Sequence, residues 1–308
     1  MSKHILSIII LFFIWSQAVS AEKIDLSNTT VKTINGKTIN LGQIIGKKPV
    51  YLKFWATWCI PCREQMPHLE HSFKQYGDKV ETIAINLGIN DSLDTVKMTQ
   101  QEFQLSVPIV FDKGQVLAKT FNLIATPYHV LINKNGKIIH TGHDASKELD
   151  KKIELLAVGL TDNIKEVSLN KSTPGQTKLN IPNNKPTLLF FTSAWCDWYL
   201  EKLRPNMSSQ CINAQKQVNT LSAQYPALNW QGVLTRLWTG EKELNEYTKK
   251  FKVPFIMYVD ATNQHFFDFK VNTFPTLIAL KDGKEIFRTN TFHDTKQLQS
   301  QLDSLAAP

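Results

Sequence analysis

The chain has 308 residues, 42% of them hydrophobic and 20% charged, with 13 Gly, 13 Pro and 4 Cys. That length suits two domains with real cores, and the composition excludes collagen-like, low-complexity and disordered classes and a disulfide-dense mini-protein. The formal net charge of +8 comes from basic residues spread along the chain. A solvated surface accounts for it, and no nucleic-acid partner is expected, because that would call for a basic stripe.

Residues 1–21 place Lys3 and His4 before an apolar run from Ile5 to Trp15, followed by Ser16-Gln17 and Ala18-Val19-Ser20-Ala21. This is the pattern of a secretory signal peptide cleaved before Glu22, and it falls short of the ~20 apolar residues of a membrane-spanning helix. No Cys stands near the cleavage site, which argues against a lipoprotein anchor; an uncleaved signal anchor is the alternative. The mature chain is expected to lack a stable membrane span and to reside in the periplasm or another extracytoplasmic space, where disulfides form.

Beyond the leader, Val50–Trp55 reads as a buried strand and Cys62–Tyr76 as a helix with Met66, Leu69 and Phe73 at helical spacing. Val80–Leu87 reads as a strand, residues 92–104 as a helix, Val107–Phe111 as a strand and Gln115–Phe121 as a short helix. Tyr128–Asn133 and Lys137–Thr141 form a hairpin across an Asn-Gly turn, and Lys147–Ala157 is a closing amphipathic helix. The rhythm is that of an α/β fold, a mixed central sheet flanked by helices. A polar segment at 159–164 follows, then weak strands near Glu166–Leu169 and Thr177–Leu179.

The chain then repeats itself. Lys48-Pro49 through Trp58-Cys59 matches Lys185-Pro186 through Trp195-Cys196, and the Val107–Asp112 segment matches Val253–Asp260. Thr126-Pro127 matches Phe274-Pro275, each followed by an apolar strand and a Gly-containing turn. The predicted organisation is a leader at 1–21, a first domain at 22–158, a linker at 159–164 and a second copy at 165–308.

Trp58-Cys59-Ile60-Pro61-Cys62 falls where a strand gives way to a helix. A Cys at that junction faces free N–H groups that favour thiolate, Pro61 suits a first helical turn, and the two-residue spacer brings both sulfurs together. Cys59 is the candidate nucleophile and Cys62 the resolving thiol of dithiol–disulfide exchange. A zinc site would need about four ligands, and there is no second CxxC or suitably spaced Cys/His pair; an inert structural bridge is the other alternative. His68 with His71, and His140 with His143, are spaced as pairs that could contribute to a metal site, but exposed histidines account for them as well. No metal and no cofactor is assigned.

The run Phe54–Pro67 resembles the active-site stretch of the TlpA/ResA-like thioredoxin family of extracytoplasmic thiol–disulfide oxidoreductases. Asn35–Leu41 is similar to that family's N-terminal hairpin, and the βα insertion at about 80–104 and the Thr126-Pro127 step match as well. The resemblance covers 24–157 and implies two tandem thioredoxin-like folds, the second degenerate. It also implies Pro127 in cis beside the cysteines, Trp58 and Pro127 shaping the site, and Thr126 docking substrate backbone while metal is kept out. Gln65 stands where the family carries an acid, and Tyr128 and His129 follow the proline where small hydroxyl residues are usual. Lys53 replaces a buried Asp, either lowering the thiolate pKa or shuttling a proton, or else snorkelling to the sheet edge.

In the second copy Tyr199 replaces the second cysteine, and Cys211 lies 15 residues beyond Cys196. One continuous helix would separate them by ~22 Å, so a Cys196–Cys211 bridge requires the chain to fold back near Pro205 and the Ser-rich stretch. Phe190 and Phe274 leave this copy without a proton relay or the Thr before the proline, which suits holding or docking rather than catalysis. The resulting expectation is a periplasmic reductase of protein disulfides, fed by a membrane thiol electron donor, with cytochrome c apoprotein thiols as one family precedent. The alternatives are a disulfide isomerase or chaperone that holds clients with its second domain, and a copper-handling binding protein.

Overall fold

Asn40 caps the first helical turn through its side chain, which accepts the Gln43 N–H, and so ends a small N-terminal hairpin in a computed structural model that describes residues 26–161, 164–167, 169, 175–293 and 295–307. The leader expected at 1–21 and two residues of the expected linker lie outside the described residues. The hairpin is β1 (Thr30–Lys32) and β2 (Thr38–Asn40), followed by α1 (Leu41–Ile44). The first large unit then runs β3 (Val50–Trp55), α2 (Ile60–Glu64), α3 (Met66–Tyr76), β4 (Glu81–Asn86), α4 (Leu93–Glu102), β5 (Ile109–Phe111), α5 (Val116–Thr120), β6 (Tyr128–Ile132), β7 (Ile138–Gly142) and α6 (Lys147–Val158). Its sheet has the order β5-β4-β3-β6-β7, parallel from β3 to β5 and antiparallel across β3-β6-β7. All six residues of β3 are buried because helices cover both faces, so this strand shows no alternation. The hairpin protects the β5 edge through an Ile34 N–H bond to the Ile109 carbonyl.

The second unit is β8 (Thr187–Thr192), α7 (Cys196–Tyr199), α8 (Pro205–Gln224), β9 (Asn229–Thr235), α9 (Glu241–Phe251), β10 (Ile256–Asp260), α10 (Gln264–Asp268), β11 (Thr276–Lys281), β12 (Lys284–Thr289) and α11 (Thr295–Ala306). Its sheet order, β10-β9-β8-β11-β12, repeats the first. The duplication extends to irregular backbone: Asn90, Gln104, Gln115 and Asn122 have positive φ, and so do their counterparts Trp238, Lys252, Asn263 and Lys270. The Thr126-Pro127 and Phe274-Pro275 bonds are both cis.

Three expectations need correction. The helix expected over Cys62–Tyr76 is two helices broken at Gln65 (φ −92°, ψ 0°). Pro67 has no N–H to bond the Arg63 carbonyl, so the helix cannot run through, and the Gln65 N–H closes α2 on the Pro61 carbonyl at 3.2 Å. No strand forms at Thr177–Leu179. Side chains satisfy that segment instead: Thr177 Oγ1 donates to the Val259 carbonyl and the Asn180 N–H donates to Gln231 Oε1. Of Glu166–Leu169, residues 166, 167 and 169 are described and none is in a strand.

One hydrophobic cluster runs through both units, joining Trp58, Cys59 and Cys62 to Trp195, Cys196 and Phe274. Two smaller clusters complete the second unit.

Candidate active site

Cys59 is the N-cap of α2, in extended backbone (φ −80°, ψ 106°), and its Sγ accepts the Cys62 N–H at 3.2 Å. Pro61 occupies the first turn, where its missing N–H leaves nothing unpaired. Cys59 and Cys62 are joined as a disulfide, with Cα atoms 5.2 Å apart. Because α2 is only five residues long, the macrodipole behind Cys59 is small, and the sulfur's anionic form depends on the Cys62 N–H aimed at it.

Trp58 donates its Nε1–H to the Ile89 carbonyl at 2.7 Å and stacks on Trp195 of the second unit at a centroid distance of 4.8 Å. Trp238 meets the edge of Trp58 at 5.8 Å. On the other side of the nucleophile, the Ile60 N–H donates to Tyr199 Oη at 3.0 Å. Thr57 is held through its N–H by Asp91 Oδ2 at 2.9 Å, and its hydroxyl donates to the same carboxylate. Asn86 donates to Asp91 at 2.8 Å, and Arg204 of the second unit pairs with it at 3.2 Å while also donating to Thr57 Oγ1.

Beneath this layer runs a polar network. Lys53, on β3 between Ala84 and His129, is fully buried, and its Nζ donates to the Gln65 carbonyl at 3.2 Å. Among the described residues no carboxylate pairs with it, and burial lowers its pKa to about 7. His129 Nδ1 lies 2.8 Å from Tyr51 Oη, and its Nε2 lies 2.9 Å from Gln65 Oε1. The Gln65 amide donates to the His143 carbonyl at 3.0 Å, so its oxygen faces His129. That orientation assigns the Nε2–H tautomer, with Tyr51 donating to Nδ1. Burial, with Lys53 the leading nearby charge, lowers the His129 pKa to about 2 and keeps the ring neutral. His143 Nδ1 closes the chain on the Pro127 carbonyl at 2.7 Å. The family-atypical Gln65 and His129 are therefore partners of each other.

Thr126 is buried, and its hydroxyl has no hydrogen-bond partner among the described residues. Of the paired histidines, His68 binds Asp150 at 2.5 Å, and His140 lies beside Lys152 and Glu148. No group of three or more His, Cys, Asp or Glu side chains among the described residues is arranged to hold a metal ion. Cys196 and Cys211 are bridged, with Cα atoms 6.1 Å apart. The fold-back comes from α7 ending at Tyr199, so that α8 restarts at Pro205 and returns Cys211 to Cys196.

The sequence profile of the AhpC/TSA family matches residues 24–141. The chain is 36% identical over 129 residues to the thioredoxin-like protein YneN of Bacillus subtilis, an alignment covering 41% of this chain and 75% of that protein. The chain belongs to the thioredoxin-like thiol–disulfide oxidoreductases. A second such relative, the thiol–disulfide oxidoreductase ResA of Halalkalibacterium halodurans, is 35% identical over 132 residues, 42% of this chain and 73% of the relative. Among solved structures, StoA from Bacillus subtilis is 27% identical with a TM-score of 0.37, covering 41% of this chain and 94% of StoA. For a thiol–disulfide oxidoreductase the dithiol is deeply placed: Cys59 and Cys62 are both 0% exposed.

Several residues of this site are not evident from the motif. Asp91 and Asn90 lie in a loop with no pattern of their own, and Trp195, Tyr199, Arg204 and Trp238 belong to the other repeat. The one available signal is positional: Trp195 and Tyr199 stand where the first copy has Trp58 and Cys62.

Proposed function

We propose that this protein is an extracytoplasmic reductase of protein disulfides, acting through Cys59 and Cys62. In this reading 22–158 is the catalytic domain, 159–164 the linker, 165–308 a degenerate second domain, and 1–21 a cleaved export signal. No helix among the described residues is long and apolar enough to cross a membrane. The observation that carries the reading is the Cys59 sulfur at the start of α2, accepting the N–H of the very residue that resolves the mixed disulfide.

The Cys59 thiolate attacks one sulfur of the client disulfide, forming a Cys59–client bond and expelling a client thiolate, which takes up a proton. Cys62 then loses its proton and attacks Cys59 Sγ, expelling the second client thiolate and closing the Cys59–Cys62 bond. Two electrons pass to the client, and a membrane dithiol donor restores the reduced enzyme. Lys53, buried beneath α2 with its Nζ on the carbonyl of Gln65, three residues beyond Cys62, and its pKa lowered to about 7, is the acceptor this reading assigns to the Cys62 proton. Trp58 and cis-Pro127 shape the site, Pro61 opens the first turn of α2, and the backbone of Thr126 docks the client strand.

The reduction potential of the Cys59–Cys62 couple tests the direction. A value near thioredoxin's ~ −270 mV is expected, whereas one near ~ −120 mV would reverse the electron flow. Cys59→Ser should abolish insulin reduction, and Cys62→Ser should accumulate a mixed disulfide. A disulfide isomerase is the second reading. It is favoured by an aromatic cleft of about 510 Å³ in the second unit, walled by Trp195, Trp198, Tyr199, Trp238 and Tyr247, which could hold apolar client segments. Refolding of a scrambled disulfide protein without added reductant would select it.

A further inference from the structure

The two units meet through the same face of each. Trp58 Nε1 bonds the Ile89 carbonyl, and its repeat counterpart Trp195 Nε1 bonds the Leu237 carbonyl. The residues following those carbonyls, Asn90 and Trp238, both have left-handed backbone, and each reaches across to the other unit. The Asn90 N–H donates to the Asn272 carbonyl at 2.8 Å, and the Trp238 N–H donates to the Ile124 carbonyl at 2.9 Å. Ile124 and Asn272 are themselves counterparts, each two residues ahead of the residue before its cis-proline. The contact is therefore reciprocal, i to j and j to i, as in a two-fold interface formed within one chain.

This pseudo-dyad passes beside the dithiol. Trp58 stacks on its own counterpart Trp195, and Tyr199, the counterpart of Cys62, holds the N–H of Ile60 next to the nucleophile. Trp238 packs against Trp58, Trp195 and Tyr199 with φ 51°, a conformation that a bulky aromatic side chain seldom adopts. Arg204 locks the rim through Asp91, Thr57 and the Asn90 carbonyl. Asn90 Oδ1 also accepts the Phe274 N–H at 2.8 Å. A protein disulfide has to bring its sulfur into contact with Cys59 Sγ, and in this arrangement Cys59, Cys62 and Thr126 are all buried.

We propose that the second unit is a built-in cap on the dithiol, so that exchange with a protein disulfide requires the two units to part along the Trp58–Trp195 face. The proposal rests on the reading of Cys59 as the nucleophile. The closed form keeps the reduced dithiol from adventitious protein partners, and the fraction of time spent open sets the rate at which any client is met. Tyr199 in place of a second cysteine fits this role, because a phenol can hold the Ile60 N–H without entering the exchange itself.

The test measures how fast Cys59 in the reduced full-length protein is alkylated by a polyethylene-glycol maleimide, with the modified cysteine located by peptide mapping. The native protein is expected to react at least about 100-fold more slowly than the same chain in urea, because only the open fraction reacts. Arg204→Glu places a carboxylate against Asp91 and should speed native labelling about tenfold or more, the loss expected for a charged hydrogen-bonded contact. Trp238→Ala, which removes the wedge at the same face, should act in the same direction, with circular dichroism confirming that both variants remain folded. Native labelling within a few-fold of the urea rate would overturn the cap whatever the variants do, and so would equal native rates in wild type and both folded variants. Insulin reduction separates the two readings. Slow labelling relieved by the variants without any insulin reduction would leave the cap standing and remove the reductase assignment, while fast labelling with insulin reduction would do the reverse.

Discussion

Lys53→Met should stabilise the first unit at acidic and neutral pH, by an amount that shrinks as the solution becomes alkaline. Lys53 is fully buried, donates to the Gln65 carbonyl and has no carboxylate partner among the described residues; burial takes its pKa from 10.5 to about 7. Each unit of depression corresponds to about 1.4 kcal/mol, so the protonated side chain costs the folded state on the order of 5 kcal/mol, and less in practice once relaxation is included. Below pH 7 both folded and unfolded chains hold the proton, and the full cost applies. Between pH 7 and 10.5 the unfolded chain binds the proton and the folded chain does not, so wild-type stability gains with rising pH. Methionine has similar length and no charge to desolvate, although it leaves the Gln65 carbonyl with only the Leu69 N–H as partner. Urea unfolding of the oxidised wild type and variant at pH 6 and pH 10 measures the difference, and pH effects common to both proteins cancel in it. The variant should be more stable by a few kcal/mol at pH 6 and by much less at pH 10. A difference that stays the same at both pH values would show that Lys53 does not titrate in this window, and would remove the proton-transfer role with it.

Two further outcomes are expected. Replacing Cys196 and Cys211 together by alanine should lower stability by about 3 kcal/mol, the loop-closure value for a 15-residue span, and leave the potential of the Cys59–Cys62 couple unchanged; a shifted potential would show that the second bridge exchanges with the first. His129, held near pKa 2, should show no imidazole titration by NMR between pH 4 and 8 and should remain the Nε2–H tautomer. Because the unfolded chain takes up this proton below about pH 6.5 while the folded one does not, His129→Phe should flatten the loss of stability on acidification between pH 6 and 3. An unaltered slope would refute the buried neutral ring.

The fold was legible in the sequence because its signals are local. β3 announces itself as an uninterrupted apolar run, α6 as an apolar stripe at helical spacing, and the hairpin after Pro127 as two strands around an Asn-Gly turn. The duplication was legible for the same reason, since matching segments recur in the same order. Less legible were the breaks and the weak strands. Pro67 was visible, but a proline in the first turn of α3 and a proline interrupting a longer helix look alike until the path of Gln65 is known. Thr177 and Asn180 had strand-like neighbours, yet the Thr177 hydroxyl on the Val259 carbonyl and the Gln231 side chain on the Asn180 N–H took up hydrogen bonds that a ladder would have used.

The site divides along the same line. The amino-acid sequence by itself determined the Trp-Cys-x-Pro-Cys junction, its strand-to-helix setting and the loss of the second cysteine in the repeat, because these depend on residues a few positions apart. Tertiary structure alone decided what surrounds them. Burial turns Lys53 from a surface ammonium into a group poised near pH 7, and strand register places His129 between Tyr51 and Gln65. The stop of α7 at Tyr199 lets Cys211 return to Cys196. Above all, the packing of one repeat's face on the other puts Trp195, Tyr199 and Arg204 around Cys59. Such contacts join residues more than a hundred positions apart, and their energy comes from shape and apolar area buried between two finished surfaces, a quantity that exists only once both have folded.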